Sequence, residues 1–234
     1  MISASGFGAE AFAEAWRIIK SEFLLATWET LYATLLATIF AVVIGLPLGV
    51  LVVVGEKGGV LPLPKWLLAV INFVINVLRS VPFLILVIVL IPFTRVIVGT
   101  SVGTFASIVP LVVAAFPFIA RLVESSLREV NPNIVEMAQS MGASPMQIIV
   151  KVLIPECLPS LLSNLTIAVT TILGYTAMSG IVGGGGLGKI AINYGYYRYK
   201  TIVMIVSVIL LILLVQVFQT AGTKISTKSD KRLK

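Results

Sequence analysis

The feature that most constrains this chain is a series of apolar runs, each about twenty residues long, which is the length a helix needs to cross a bilayer. Leu31 to Val54 carries no charge and is interrupted only by Gly45, Pro47 and Gly49. Further runs extend from Trp66 to about Pro92, from Phe105 to Leu127, from Leu158 to Ser179 and from Ile202 to about Ala221. Internal prolines such as Pro110 and Pro117 are tolerable there, because neighbouring helices and waters re-satisfy the freed backbone groups. The expected fold is all-α and integral to the membrane, with five transmembrane helices. Only 12% of the 234 residues are charged, against 58% hydrophobic. That is half the roughly 25% charge a soluble domain needs to face water.

The net charge of +7 does not point to nucleic acid. Lys224, Lys228, Lys231, Arg232 and Lys234 fall in a short tail, residues 224–234, after the last run, and no basic stripe is interleaved with aromatics. Such a tail reads as an anchor at an anionic cytoplasmic surface. An odd number of spans then leaves the N-terminus outside, although without the tail the loops alone do not favour this orientation. Histidine is absent and Cys157 is the only cysteine, so no metal site and no intrachain disulfide is expected. Residues 1–26 carry Glu10, Glu14 and Glu22, which excludes a cleavable signal. Phe12, Trp16, Ile19 and Phe23 recur at helical spacing, so this segment reads as an amphipathic helix on the bilayer surface, separate from residues 27–223.

The polar stretch at about 131–155 is the most informative. Asn131-Pro132 has the chemistry of a helix start, an N-cap followed by proline in the first turn, and Ser144-Pro145 repeats it. Gly142 lies between the two and can turn the chain sharply. These signals predict a helix-turn-helix hairpin outside the membrane, running to Pro155: a short, stiff peg joined rigidly to the spans on either side.

Glu136, Met137, Ala138, Gly142, Ala143, Val152, Ile154 and Pro155 fall at the spacing of a known signature. The stretch resembles the EAA motif of bacterial ABC importer permeases, with Met137 for the middle alanine, and Val152 and Ile154 for the usual isoleucine and leucine. Three further stretches resemble the permeases of methionine-uptake ABC systems: Asn76 to Phe83, Ile91 to Thr100, and Gly174 to Gly180 with the glycines that follow. The resemblance runs from Trp28 to the fifth run and leaves the first 26 residues outside. It implies a type I ABC importer permease fold in the inner membrane, with the hairpin docked on a cytoplasmic ATPase. The implied partners are a second copy of the chain, two ATPase subunits that hold ATP and Mg, and an extracytoplasmic methionine-binding lipoprotein. No cofactor would be bound by this chain and no ATP hydrolysed on it. Another amino acid or small solute remains open as the cargo.

Candidate pathway residues fall in two sets. Asn72, Asn76 and Arg79 share one helix face, and an intramembrane arginine should face protein or water. Asn164, Thr171, Tyr175 and Ser179, with Met178 beside them, form a polar seam that either lines a path or glues helices together. Arg121 and Glu124 are three residues apart and are expected to pair. Gly183, Gly184, Gly185 and Gly186 open the run GGGGLGK, which fails as a phosphate loop because Ile190 stands where a hydroxyl is required. The run reads as a flexible outer loop, or as a compact gate or docking surface. An ion-coupled transporter is poorly supported: Glu124 is the only acidic residue in the assigned runs, and it sits beside Arg121.

Overall fold

The structure, a computed structural model, describes residues 9–230. Among these it is helical without strands, in the order α1 Ala9–Val54, α2 Lys65–Ser80, α3 Phe83–Val89, α4 Ile91–Val98, α5 Thr104–Arg128, α6 Pro132–Ser140, α7 Pro145–Ile148, α8 Ile154–Glu156, α9 Leu158–Ser179, α10 Gly186–Ile190 and α11 Thr201–Ser229. π-Helical turns follow α7 and α10. Four of these helices are long and apolar enough to cross a membrane, or five if α2 and α3 form one broken span.

Two expectations are corrected. The first concerns the N-terminal segment. Nothing breaks the chain at residue 26: α1 is one helix of 46 residues, and the surface helix and the first span are the same element. Its buried face differs from the one read off the aromatics. Phe12 and Trp16 are exposed, whereas Ala15, Ile18, Phe23 and Ala26 are buried. Glu14, Glu22 and Glu29 therefore lie on a membrane-length helix, so Glu124 is not the only carboxylate within such helices. The second concerns the run Trp66 to Pro92, which is not one helix. Val81 sits before Pro82 in the extended conformation that proline imposes on its predecessor, and α2 ends there. At the far end, α11 continues through Lys224 and Lys228 to Ser229; Lys231, Arg232 and Lys234 lie outside the described residues.

The chain packs as two compact units. One comprises the described part of Met1–Thr38 with Pro82–Val112 and Val169–Phe218. Its core sets Ala15, Ile18, Phe23 and Ala26 of α1 against Leu187, Ile190 and Val203. Polar contacts run alongside. Glu14 takes a hydrogen bond from Lys200 Nζ at 2.6 Å, and Glu22 takes one from the Tyr194 hydroxyl. That bond raises the Tyr194 hydroxyl above its ordinary pKa, because it favours the protonated phenol. Thr30 Oγ1 accepts from Leu187 N at 2.9 Å, and Thr34 meets Thr176 at 3.3 Å.

The other unit comprises Ile39–Val81, Val113–Ala168 and the described part of Gln219–Lys234. Here small residues on α1 let it approach α5 closely. A Cβ on Gly45 would stand 2.7 Å from the Phe116 carbonyl oxygen, and one on Gly49 would stand 2.5 Å from that of Ala120. Ser226 of α11 donates to Pro159 O at 2.7 Å, and Arg128 at the end of α5 meets Glu56 at 2.6 Å. The end of α11, the loop after α1 and the root of the hairpin are thereby tied together. Ile205, Ile209, Ile212, Leu213 and Val217 of α11 are exposed. Surface of that kind suits lipid or a partner helix and not water.

Candidate functional site

The hairpin forms by local chemistry at each end of its two arms. Asn131 Oδ1 accepts from Asn133 N at 3.0 Å, and Pro132 opens α6 without wasting a donor. The end of α6 is a Schellman turn: Ala143 N donates to Ala138 O at 3.1 Å and Gly142 N to Gln139 O at 2.9 Å. Gly142 sits at φ +80, and no atom lies within 4 Å of where its Cβ would be. Glycine is required there by backbone conformation and not by space. The spacing between Ala138 and Gly142 is thus the spacing of this turn. A capping box starts the second arm: Ser144 Oγ accepts from Gln147 N at 3.4 Å, and Gln147 Oε1 accepts from Ser144 N at 2.9 Å.

Ile148, Ile149 and Leu153 are buried and anchor the second arm. Its helix widens at Ile149–Leu153, where Ile154 N bonds back to Ile149 O. Pro155 follows directly; it has no N–H, and its ring crowds the preceding turn, a common setting for a π-bulge. Cys157 is buried just beyond, and burial pushes its thiol up to about 11, so it is not a reactive group.

Of the eight hairpin residues singled out by sequence, Glu136, Met137, Gly142 and Pro155 are exposed, while Ala138, Ala143, Val152 and Ile154 are half-buried. Glu136 also borders a cleft of about 560 Å³ at the hairpin root, shared with Gly58, Gly59, Arg128 and Gln139. Sequence reasoning named Met137 but missed the rest of the apolar tip, Met141, Met146 and Val150. Met141, Met146 and Met137 are 81%, 67% and 60% exposed, and Val150 lies beside them at 53%. Flexible, polarisable methionines on a stiff projection present an exposed apolar surface able to adapt in shape. The signal was present as three methionines, Met137, Met141 and Met146, close together in a polar stretch.

A charge network stands behind the hairpin. Arg121 pairs with Glu124 at 2.5 Å, as expected, and Arg128 joins Glu124 at 2.9 Å. Asn76 Oδ1 accepts from Arg121 Nη2 at 2.8 Å. The face Asn72, Asn76, Arg79 therefore divides. Asn72 bonds Leu68 O on its own helix, Asn76 serves Arg121, and Arg79 is exposed in the last turn of α2 with no hydrogen bond or ion pair among the described residues. The seam on α9 divides as well. Asn164 donates to Ser126 Oγ at 2.8 Å and to Leu122 O, and Ser179 is buried and donates to Thr176 O. Tyr175 stacks on Phe83 at 4.6 Å, Thr171 is half-buried and Met178 is exposed. Asn164 thus ties α9 to α5, whereas the Ser179 bond stays within α9.

Gly183 to Gly186 are not a flexible loop. Gly184, Gly185 and Gly186 are buried, Gly186 N donates to Glu29 Oε2 at 2.7 Å, and Gly183 O accepts from Gly103 N at 2.8 Å. Glycine here permits close packing, which sequence alone cannot distinguish from mobility.

Membrane-length helices carrying an exposed, methionine-tipped hairpin are the architecture of a transport permease. The family described as "Binding-protein-dependent transport system inner membrane component" matches residues 45–223, and the chain belongs to it. It is 49% identical over 221 residues to the probable D-methionine transport system permease protein MetI of Vibrio cholerae, covering 93% of this chain and 96% of that one. The MetI of Escherichia coli K12 is 50% identical over 153 residues, covering 65% of this chain and 70% of its own length. A solved structure of the MetNI methionine ABC transporter in inward-facing form superposes with a TM-score of 0.87 at 47% identity, covering 89% of this chain and 96% of that chain. The fold is that of a type I ABC importer permease. At 93% coverage, the similarity also reaches into the first 26 residues, which the sequence reading had left outside it.

Proposed function

We propose that this chain is the membrane-spanning subunit of an ATP-driven methionine importer, working as a pair with two cytoplasmic ATPase subunits and an extracytoplasmic binding protein. The observation that carries the proposal is the 0.87 superposition on the MetNI transporter at 47% identity. In this reading ATP and Mg belong to the ATPase subunits. The Met137, Met141 and Met146 tip fills a groove on them, and partner movement reaches the spans through the stiff, capped arms. Motion requires two states that the partner binds differently. The contacts of Ser226 with Pro159 and of Arg128 with Glu56 place the end of α11 and the loop after α1 at the hairpin end. A cytoplasmic hairpin therefore implies a cytoplasmic C-terminus and an outer N-terminus.

The test is ATP-dependent uptake of radiolabelled methionine into vesicles holding this chain with its ATPase and binding protein. Gly142→Trp adds bulk where the space is empty and strains a left-handed residue by about 1–2 kcal/mol, which the fold survives. We expect the variant to assemble but to lose uptake by about tenfold or more, together with the substrate-stimulated ATPase activity. Uptake by the parent chain without ATP would overturn the mechanism, and ATP-driven turnover without methionine transport would overturn the cargo.

A further inference from the structure

A cleft of about 350 Å³ opens between α1 and the segment 186–198, lined by Ser21, Glu22, Leu25, Glu29, Lys189, Asn193, Tyr194 and Arg198. Its chemistry is balanced. Glu22 uses one carboxylate oxygen on Tyr194 and Glu29 uses one on Gly186 N, so each keeps its second oxygen without a partner among the described residues. On the opposite side Arg198 is exposed, with its guanidinium 4.7 Å from the centre of the Tyr194 ring, and Lys189 is exposed without a side-chain hydrogen bond or ion pair among the described residues. Two acceptor carboxylates facing two cations match a ligand that carries both charges and is neutral overall.

The surroundings identify the ligand class. Leu25 lines the cleft and is 62% exposed; next to it Leu24 is 84% exposed, and Trp28, one turn further along α1, is 63% exposed. These residues present apolar surface to the bilayer directly beside the charged groups. Trp16, Tyr196, Tyr197 and Tyr199 are also exposed around this end of the unit, the placement of an interfacial aromatic belt. The cleft therefore sits where headgroups lie and runs into surface where acyl chains lie.

We propose that this cleft binds a zwitterionic phospholipid bearing a primary ammonium, of the phosphatidylethanolamine type. Its phosphate pairs with Arg198 and Lys189, its ammonium donates to the open oxygens of Glu22 and Glu29, and one acyl chain follows Leu25 and Trp28. A choline headgroup has no N–H to give those oxygens, and a glycerol headgroup offers them neutral hydroxyls with no positive charge to offset the two carboxylates. The inference rests on the membrane-spanning fold and is independent of the transported solute.

The test uses the full chain, in complex with its ATPase subunits, in nanodiscs of equal phosphatidylethanolamine, phosphatidylcholine and phosphatidylglycerol, with retained lipid read by native mass spectrometry. We expect the ethanolamine lipid to be retained about tenfold over the other two, the scale of one charge-assisted hydrogen bond. Glu22→Gln, which keeps the acceptor for Tyr194, and Arg198→Gln should each abolish the preference, while Lys57→Gln, in the loop after α1, leaves it unchanged; melting temperatures confirm that all variants are folded. Equal retention of the ethanolamine and choline lipids, or variants that keep the preference, would overturn the proposal. So would displacement of the lipid by free methionine, which would make the cleft a solute site.

Discussion

Replacing Glu124 by leucine lowers the melting temperature of the purified chain by roughly 6–12 °C, corresponding to about 3 kcal/mol. Glu124 is 14% exposed and is the shared acceptor of two guanidiniums, Arg121 at 2.5 Å and Arg128 at 2.9 Å. The two arginines are not equally dependent on it. Arg128 is 47% exposed and retains Glu56, so its loss is small. Arg121 is 20% exposed and, among the described residues, would retain only the Asn76 amide oxygen, leaving a charge among apolar helices without a counter-ion there. An uncompensated buried charge costs far more than the intact pair contributes. The double variant Arg121→Met with Glu124→Leu should therefore recover most of the loss, because two apolar side chains of similar volume leave nothing unpaired. Detergent melting curves of the three proteins decide the matter. A double variant no better than the single one would mean that packing, and not charge, is what Glu124 provides.

The hairpin was legible because its determinants act over a few residues. Asn131, Pro132, Gly142, Ser144 and Pro145 each specify a cap or turn with partners no more than five positions away. Helix type and the Arg121–Glu124 pair were legible for the same reason. The unbroken α1 was not. Residues 1–26 read as a separate surface helix because the partners of Glu14 and Glu22, Lys200 and Tyr194, lie 186 and 172 positions away. Glu29 was passed over altogether, although its partner, the Gly186 amide, is a backbone group invisible to any side-chain pattern. The break at Val81-Pro82 was hidden by a rule that is true in general: prolines are tolerated in membrane helices. Pro82 ends α2 because Val81 adopts the extended conformation there, and the letters alone do not distinguish the two outcomes.

Gly188→Ala should be among the most damaging glycine-to-alanine changes at the described residues, with a loss of more than about 3 kcal/mol and a melting temperature lower by roughly 10 °C. An added Cβ would stand 2.6 Å from Ala177 Cα and 2.7 Å from Ala177 C, and closer still to the Ala177 carbonyl oxygen. These are backbone atoms inside α9, so no rotamer change relieves the overlap. The reciprocal contact has the same character, since a Cβ on Gly180 would lie 2.5 Å from Lys189 N and 2.7 Å from Gly188 C. The end of α9 and the start of α10 thus touch backbone to backbone. Gly174 supplies the control: it lies in the same helix with nothing within 4 Å of its Cβ position. There alanine should be neutral or stabilising by up to about 1 kcal/mol, since it adds helix propensity without overlap. Thermal unfolding of the two variants beside the parent separates a close-packed joint from general sensitivity of α9. If Gly188→Ala melts with the parent, the joint is looser than its geometry. If it melts early while Gly174→Ala does not, α9 and the segment after it form one rigid piece. In that case any displacement of α9 must carry with it the residues that Glu14, Glu22 and Glu29 hold against α1.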